Sequence, residues 1–229
     1  MLKSEARLRA FYDLRVGEEP ERDPEALLRF RKALRAAELG AGEKVLDVGA
    51  KRGGLGQSAR DLGLDVEYTG VDLSPENVAL AQEAGFDVRA ADGNDRLPFP
   101  DGAFDCVFCL ELLEHLVTPL TLLEEMRRVL AEDGRVVASV PSPYSWVEIA
   151  RELFRMPDPE GHLNSFTTPV MANLAALAGF RIRSRLGTSI RVPKTSRLIP
   201  TNSILARSRL YILEPADTVV FAGRELPPA

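Results

Sequence analysis

Apolar and polar positions alternate along this chain in segments of two kinds. Short apolar runs that end in an acidic residue or a glycine predict buried strands, because strands covered on both faces lose their polar alternation. Between these runs, apolar residues recur at helical spacing, and several such segments open with Ser-Pro or Thr-Pro, a typical helix start. The strands predicted first along the chain are KVLDVGA from Lys44, VEYTGVDLS from Val66, FDVRAAD at 86–92, AFDCVFCLEL and RVVASVP. FRIRSRLG and SRLYILE are predicted as the last two strands from their period-two alternation.

Helices are predicted at 24–39, at 55–62, from Ser74 to about Ala84, from Thr118 to Gly134, and from Thr168 to Gly179. Strands that alternate with helices predict an α/β fold of Rossmann-like type, with a seven-stranded, mostly parallel sheet, helices on both faces and an antiparallel last strand. We expect an N-terminal helical lid segment (1–42), a main domain (43–215) with a proline-rich, substrate-side excursion (141–167), and a tail (216–229). The residues after Val220 show no pattern and are expected to fray.

Composition is that of an ordinary globular chain. Of 229 residues, 45% are hydrophobic and 28% charged, enough for one sizeable domain with a full core. The formal net charge of −5 argues against general nucleic-acid binding. No apolar run approaches the length of a membrane span, and the N-terminus lacks the apolar core of a signal peptide, so a cytoplasmic location is expected.

The two cysteines, Cys106 and Cys109, form a C-x-x-C inside the fourth predicted strand. A redox role needs a helix N-terminus that lowers the thiol pKa. Residues three apart on a strand face opposite sides of the sheet, so we expect two separate, buried core thiols.

Acidic residues stand at the ends of the first four predicted strands: Asp47, Asp72, Asp92 and Glu111. Ligands of doubly wound sheets bind beyond the carboxyl ends of the strands, where the strand order reverses. Gly49, Gly53 and Gly54 follow the first strand and allow close approach of a ligand to the backbone. Asp72 lies 23 residues after Gly49 and can accept hydrogen bonds from both hydroxyls of a ribose. The alternative is a helix-capping acid before Ser74.

Four segments together resemble the successive motifs of class I S-adenosylmethionine (SAM)-dependent methyltransferases. They are EKVLDVGAKRGG, VDLSPENVALAQ, ADGNDRLPFPDGAFDCVFCLELLEHL and RVLAEDGRVVASVPSP, and the resemblance covers roughly Glu43 to Gly187. It implies that Asp47 helps to hold the methionine end of SAM, that Asp72 binds the ribose, and that Asp92 and Gly93 meet the adenine. The full set of implied cofactor contacts is Asp47, Gly49, Lys51, Gly53, Asp72, Leu73, Asp92, Gly93 and Cys109.

One residue departs from the family pattern. The glycine loop usually reads G-x-G-x-G, and this chain has Lys51 at the middle glycine. Three outcomes are open: the loop shifts to use Gly53 and Gly54, the lysine contacts the SAM carboxylate, or SAM affinity is lost and the fold serves as a scaffold.

A further resemblance concerns a metal. Glu111, Glu114 and His115 have the spacing i, i+3, i+4, which on one helical turn puts three side chains on one face. The E-x-x-E-H pattern, with His162 in a later H-x-x-x-F-T, is similar to small-RNA 2′-O-methyltransferases of the Hen1 type and to ubiquinone-pathway O-methyltransferases. It implies a divalent ion (Mg²⁺, Mn²⁺, Fe²⁺ or Zn²⁺) on Glu111, Glu114, His115 and His162. The alternative is a metal-free acceptor pocket in which Glu111, His115 and His162 are the catalytic candidates and a histidine is the general base.

The expected function is transfer of a methyl group to a hydroxyl or another heteroatom of a small-molecule acceptor. The alternatives are a non-catalytic SAM-binding or scaffold protein and, less favoured, an NAD(P)-dependent oxidoreductase, whose Tyr-x-x-x-Lys pattern is absent. Aromatic candidates for the acceptor pocket are Phe11, Tyr12, Tyr144, Trp146 and Phe154, for which plain core packing is the alternative.

The stretch from Phe180 to Leu213 has no acidic residue and eight basic ones. This asymmetry would suit an anionic acceptor or, less favoured, an RNA end, and the alternative is a solvated outer face of the last strands. The basic residues are Arg181, Arg183, Arg185, Arg191, Lys194, Arg197, Arg207 and Arg209. The oligomeric state is not predicted by the sequence.

Overall fold

The structure is a computed structural model that describes residues 23–192 and 197–226. Its α-helices are α1 (Pro24–Ala37), α2 (Gly54–Asp61), α3 (Pro75–Glu83), α4 (Pro119–Val129), α5 (Trp146–Leu153) and α6 (Thr168–Leu177). Its strands are β1 (Glu43–Val48), β2 (Val66–Asp72), β3 (Asp87–Ala90), β4 (Phe104–Leu110), β5 (Leu130–Pro141), β6 (Phe180–Gly187), β7 (Ser189–Arg191), β8 (Leu198–Pro200), β9 (Ser208–Pro215), β10 (Val219–Phe221) and β11 (Arg224–Leu226). A single 3₁₀ turn, Leu113–His115, follows β4.

The central sheet has seven strands in the order β3-β2-β1-β4-β5-β9-β6. The first five run parallel, while β9 is antiparallel to both β5 and β6. The chain moves outward from β1 to β2 and β3, then returns to place β4 on the other side of β1. The strand order therefore reverses between β1 and β4, which is where doubly wound sheets bind their ligands. The predicted fold class is confirmed.

The two largest hydrophobic clusters of the described residues lie on the two faces of the sheet. On one face α1 packs Ala33, Leu34 and Ala37 against the strands, with Phe108 of β4 and Leu210 of β9 in the same cluster. On the other face the cluster includes residues of α4 and α6. Asp23 caps α1 by accepting a hydrogen bond from the Glu25 N–H. The cap fixes where α1 begins, and the cluster fixes which face of α1 packs on the sheet. The first turns of α1 lie near the carboxyl ends of the strands, where Arg29 approaches Glu111.

Three predicted boundaries were wrong. The third strand, predicted to reach Asp92, ends at Ala90, so Asp92 lies in the following turn. The helix predicted to run to Gly134 ends at Val129, because Leu130 already pairs with Phe104 of β4 at a strand irregularity. The tail does not simply fray after Val220, since β10 and β11 form a hairpin whose Ala222 N–H donates to the Asn173 side chain.

The excursion at 141–167 carries α5, none of whose residues is buried. Between β6 and β9 in the sequence, β7 and β8 form a small separate hairpin, which was not predicted. Residues 1–22 of the predicted lid lie outside the described residues, so that role stays a prediction. None of the helices that the structure describes is long and apolar enough to cross a membrane.

Candidate active site

The loop after β1 folds back onto the end of β2. The N–H groups of Gly49 and Ala50 both donate to the Val71 carbonyl, and the Lys51 N–H donates to Asp72 Oδ2 at 2.8 Å. Asp72 Oδ1 accepts from the Ser74 N–H, while Ser74 itself caps α3. Asp72 therefore orders both the glycine loop and the start of α3, and it lies at the carboxyl end of β2, the strand next to β1.

Backbone conformation explains two of the loop glycines. Gly49 and Gly53 have φ of +81° and +83°, a region that L side chains rarely adopt. A Cβ on Gly53 would also lie 2.6 Å from the Phe86 ring. Lys51 adopts the same left-handed region, with φ of +47°. Lys51 thus adopts the backbone conformation that a glycine would have at this position of the loop. The loop can therefore form without the shift to Gly53 and Gly54 that was one of the three expectations.

Asp47 is buried within β1 and accepts a hydrogen bond from the Tyr68 hydroxyl at 2.8 Å. Burial raises the pKa of Asp47 to about 7. The hydrogen bond from Tyr68 opposes this increase, and the negative charge of Asp72 adds a smaller increase. A cationic group bound next to Asp47 would favour its charged form.

The predicted adenine-side residues lie in the turn after β3. Asp92 Oδ1 accepts hydrogen bonds from both the backbone and the side-chain amide of Asn94. Gly93 has room for a Cβ, whose nearest neighbours would be 3.6 Å away on Leu116 and Leu122, so the packing of the described protein does not itself require glycine there. Leu73 is half-buried between the end of β2 and α3.

Cys106 and Cys109 are free, fully buried thiols that belong to the two opposite cores of the sheet. Burial raises the pKa of Cys106 to about 12 and that of Cys109 well above its usual range. The prediction of two separate core thiols is confirmed. Because the Cys109 side chain is inaccessible, only its backbone could face a cofactor.

Glu111 does not lie on a helical turn with Glu114 and His115, and that part of the prediction was wrong. Its backbone is left-handed, with φ of +53°, which separates it from the 3₁₀ turn that begins at Leu113. Its carboxylate turns toward the sheet instead. Oε1 accepts from Ser139 Oγ at 2.7 Å, and Oε2 accepts from Ser208 Oγ at 2.9 Å. Arg29 of α1 lies 3.9 Å from Oε2.

Glu114, His115 and His162 do come together. One possible ligand atom from each lies within 4.8 Å of the others, and the two imidazole rings are 4.9 Å apart. Glu114 is 1% exposed, and neither of its carboxylate oxygens has a hydrogen-bond partner among the described residues. Burial, with the neighbouring charge of Glu111, raises the pKa of Glu114 well above its usual range. A buried carboxylate with no partner is costly unless a proton or a cation accompanies it. The donor set therefore fits a divalent cation.

His162 is held by two acidic residues that the sequence analysis missed. Asp158 Oδ2 lies 2.9 Å from Nδ1, and Glu160 Oε2 lies 3.5 Å from Nε2. Burial lowers the pKa of His162, but the carboxylates of Glu160 and Asp158 outweigh burial and raise it overall. The clue in the sequence was the run DPEGH, in which two acids precede the histidine within four residues.

Half of the eight basic residues between 180 and 213 are engaged by acids from elsewhere in the chain. Four of them form ion pairs: Arg181 and Arg183 with Glu214, Arg183 also with Glu38, and Arg191 and Arg207 with the buried Glu25. These pairs weaken the case for a basic surface that guides an anionic acceptor. Lys194 lies outside the described residues.

The aromatic candidates in the excursion are not core residues. Tyr144, Trp146 and Phe154 are 37%, 40% and 75% exposed, so the core-packing alternative was wrong for these three. The Trp146 indole N–H donates to the Arg191 carbonyl, which attaches the start of α5 to β7. Phe11 and Tyr12 fall outside the described residues.

Comparison with known sequences identifies a family of methyltransferases and individual relatives. Residues 21–185 match the model of a family described as "Methyltransferase domain". A ubiquinone biosynthesis O-methyltransferase of Xanthomonas oryzae pv. oryzae is 33% identical over 148 residues, 59% of this chain and 60% of that protein. One of Psychrobacter arcticus is 31% identical over 67% of this chain and 65% of its own length. The matches thus span less than two thirds of these relatives.

Solved structures share the fold at low identity. A chain from the complex between the Haloferax volcanii Trm112 methyltransferase activator and a methyltransferase superposes with a TM-score of 0.70 at 19% identity, covering 91% of this chain and 97% of that one. A SAM-dependent methyltransferase from Aquifex aeolicus gives a TM-score of 0.60 at 21% identity, covering 86% and 98% of the two chains. At these identities the likeness concerns the fold alone.

Proposed function

Because the chain belongs to the methyltransferase-domain family, we propose that it is a SAM-dependent methyltransferase that methylates an oxygen of a small-molecule acceptor. The observation that carries the cofactor assignment is the hydrogen bond between the Lys51 N–H, in the loop after β1, and Asp72 at the carboxyl end of the neighbouring strand β2. It presents a buried ribose acceptor directly beside a loop whose left-handed residues bring backbone close to a ligand.

In the proposed cofactor site Asp72 accepts hydrogen bonds from the ribose hydroxyls. Asp92 and Gly93 contact the adenine, and Asp47 with Gly49 surrounds the methionine end. Leu73, Gly53 and the backbone of Cys109 complete the lining, and Lys51 approaches the SAM carboxylate. Bound SAM supplies an electrophilic methyl group on a sulfonium sulfur.

An oxygen acceptor is supported by the curated relatives, which are O-methyltransferases. In the proposed reaction the acceptor oxygen displaces the sulfonium sulfur at the methyl carbon: the O–C bond forms, the S–C bond breaks, and S-adenosylhomocysteine is released. The hydroxyl proton must leave before or during this step. The protein's part is to align the oxygen with the methyl group and to promote loss of the proton.

We propose that Glu114, His115 and His162 hold a divalent metal next to the acceptor. The support is the unpartnered, buried carboxylate of Glu114 beside two imidazoles. An ion bound there would lower the pKa of an acceptor hydroxyl. The Nδ1 of His162 is engaged by Asp158, which leaves Nε2 as its donor atom.

Without a metal the same pocket would rely on a histidine as general base. His115 is then the better candidate, because the carboxylates of Glu160 and Asp158 raise the pKa of His162 and so favour its protonated form. Loss of activity on addition of a chelator, with recovery in Mn²⁺ or Zn²⁺, distinguishes the metal-assisted route from the metal-free one.

The non-catalytic alternative depends on Lys51 replacing the family's glycine. The left-handed backbone of Lys51 argues for retained SAM binding, because the loop then closes as a glycine loop would. Calorimetric titration with S-adenosylhomocysteine tests cofactor binding by itself, independently of any acceptor.

A further inference from the structure

The loop that carries His162 brings a second carboxylate, that of Glu160, to the other nitrogen of the same imidazole. Glu160 Oε2 lies 3.5 Å from His162 Nε2, the nitrogen left for a metal once Asp158 has engaged Nδ1. Two ligand atoms that bind one ion at about 2.1 Å, with an angle of about 90–110° between the bonds, lie about 3.0–3.5 Å apart. The separation of these two atoms suits two ligands of a single ion. Glu160 lies outside the group of Glu114, His115 and His162, whose ligand atoms are all within 4.8 Å of one another, so its flexible side chain would have to turn further toward that group to share the ion.

Glu111, the residue that the E-x-x-E-H pattern would supply, is occupied elsewhere. Both of its oxygens accept short hydrogen bonds from serine hydroxyls, Ser139 on β5 and Ser208 on β9. Its left-handed backbone points the side chain toward those strands. To bind an ion at Glu114 it would have to give up these bonds, although it is close enough for its charge to raise the pKa of Glu114.

The loop that delivers Glu160 is fixed at both ends. Asp158 accepts from the N–H groups of Glu160 and His162, which closes a tight turn around its carboxylate. Beyond the histidine, the N–H groups of Leu163 and Asn164 donate to the Glu114 carbonyl. The loop is thus attached directly to the residue that carries the buried carboxylate.

From this geometry we propose that Glu160, and not Glu111, supplies the second carboxylate of the metal site formed with Glu114, His115 and His162. The inference rests on the metal proposed above and changes its ligand set. Glu111 then serves as a positioning residue that ties the end of β4 to β5 and β9.

A matched pair of substitutions tests this assignment. Glu160→Gln and Glu111→Gln each replace one carboxylate by an amide of the same shape. Binding of Mn²⁺ alone is measured by calorimetry and by electron paramagnetic resonance of the free ion. Glu160→Gln is expected to weaken Mn²⁺ binding at least about 10-fold, and Glu111→Gln by less than about 3-fold. Equal effects of the two variants, or the larger effect at Glu111, would overturn the proposal.

Two controls keep the outcome interpretable. Glu160 is 39% exposed, so Glu160→Gln should leave thermal unfolding unchanged, and Glu160→Ala should weaken Mn²⁺ binding to the same extent. If the wild-type protein binds neither Mn²⁺ nor Zn²⁺ at millimolar concentration, the ligand assignment and the metal proposal both fail. Binding of S-adenosylhomocysteine in the same preparation then decides separately whether the methyltransferase proposal survives.

Discussion

Lys51 donates its backbone N–H to Asp72 Oδ2 across 2.8 Å while its own backbone is left-handed, with φ of +47°. The residue at the departing position of the glycine loop thus orders the acid proposed to bind ribose. A non-glycine residue in this conformation costs of order 1 kcal/mol or more.

The conformation at Lys51 leads to a first prediction. Lys51→Gly should keep the unfolding free energy within about 1 kcal/mol of wild type, because glycine tolerates positive φ but loses more entropy on folding. Lys51→Val should lower it by more than about 1 kcal/mol, since β-branched residues rarely adopt this region. Urea unfolding of the two variants checks this. Similar losses in both would mean that the left-handed backbone is not what matters at this position.

Removal of the Asp72 carboxylate should weaken cofactor binding. Asp72→Ala leaves ribose hydroxyls without their acceptor and frees the Lys51 N–H, an effect of about 1–3 kcal/mol, or roughly 5- to 150-fold in Kd. Asp65→Ala, an exposed acid just before the same strand, is the matched control and should bind S-adenosylhomocysteine like wild type. Equal affinity of the two variants would remove Asp72 from the site.

Asp47 should make stability depend on pH. Its pKa is raised to about 7 in the folded protein, so between about pH 4 and pH 7 the folded state holds a proton that the unfolded chain has already lost. The unfolding free energy should therefore fall as pH rises through this window, by up to about 1.4 kcal/mol per pH unit. Asp47→Asn should lose this component and gain stability relative to wild type from pH 4.5 to pH 8 in urea unfolding. A difference that is independent of pH would contradict the prediction.

Asp158 should act through His162. Asp158→Ala is expected to weaken Mn²⁺ binding about 10-fold, as loss of an outer partner of a ligating histidine typically does. Asp158→Asn keeps an acceptor oxygen and should recover part of that loss, while Asp133→Ala, an exposed acid after α4, should have no effect. Nitrogen NMR of His162 at alkaline pH gives a second readout: the proton should be on Nδ1 in the wild type and lose that preference in Asp158→Ala. An unchanged tautomer would show that Asp158 only shapes the loop.

The centre of the sheet could be predicted because strands such as β1 and β4 are buried on both faces and read as nearly continuous apolar runs, while β6 was recognised by its period-two alternation. The boundaries failed where pairing overrides local pattern. Leu130 continues a helical spacing in the sequence, yet it joins β5 because Phe104 is available as a strand partner. The hairpin of β10 and β11 was missed because its three-residue strands are too short to show a period.

The candidate site was predictable in its residue types and less so in its geometry. Glu114, His115 and His162 come together as the motif implies. Sequence spacing alone placed Glu111 with them on a helical turn, and a single left-handed residue redirected its side chain. Asp158 and Glu160 reach His162 because the backbone turns around the Asp158 carboxylate, which accepts hydrogen bonds from the N–H groups of Glu160 and His162. Hydrophobic periodicity does not predict such a turn.

Titration of the wild-type protein with S-adenosylhomocysteine, followed by calorimetry, tests the central claim most directly, since it needs neither the acceptor nor the metal. The proposed cofactor site should bind one molecule per chain saturably, and the unfolding temperature should increase with ligand concentration. Absence of heat and of any thermal shift up to millimolar ligand would contradict the proposed cofactor site and, with it, the proposed methyltransferase activity.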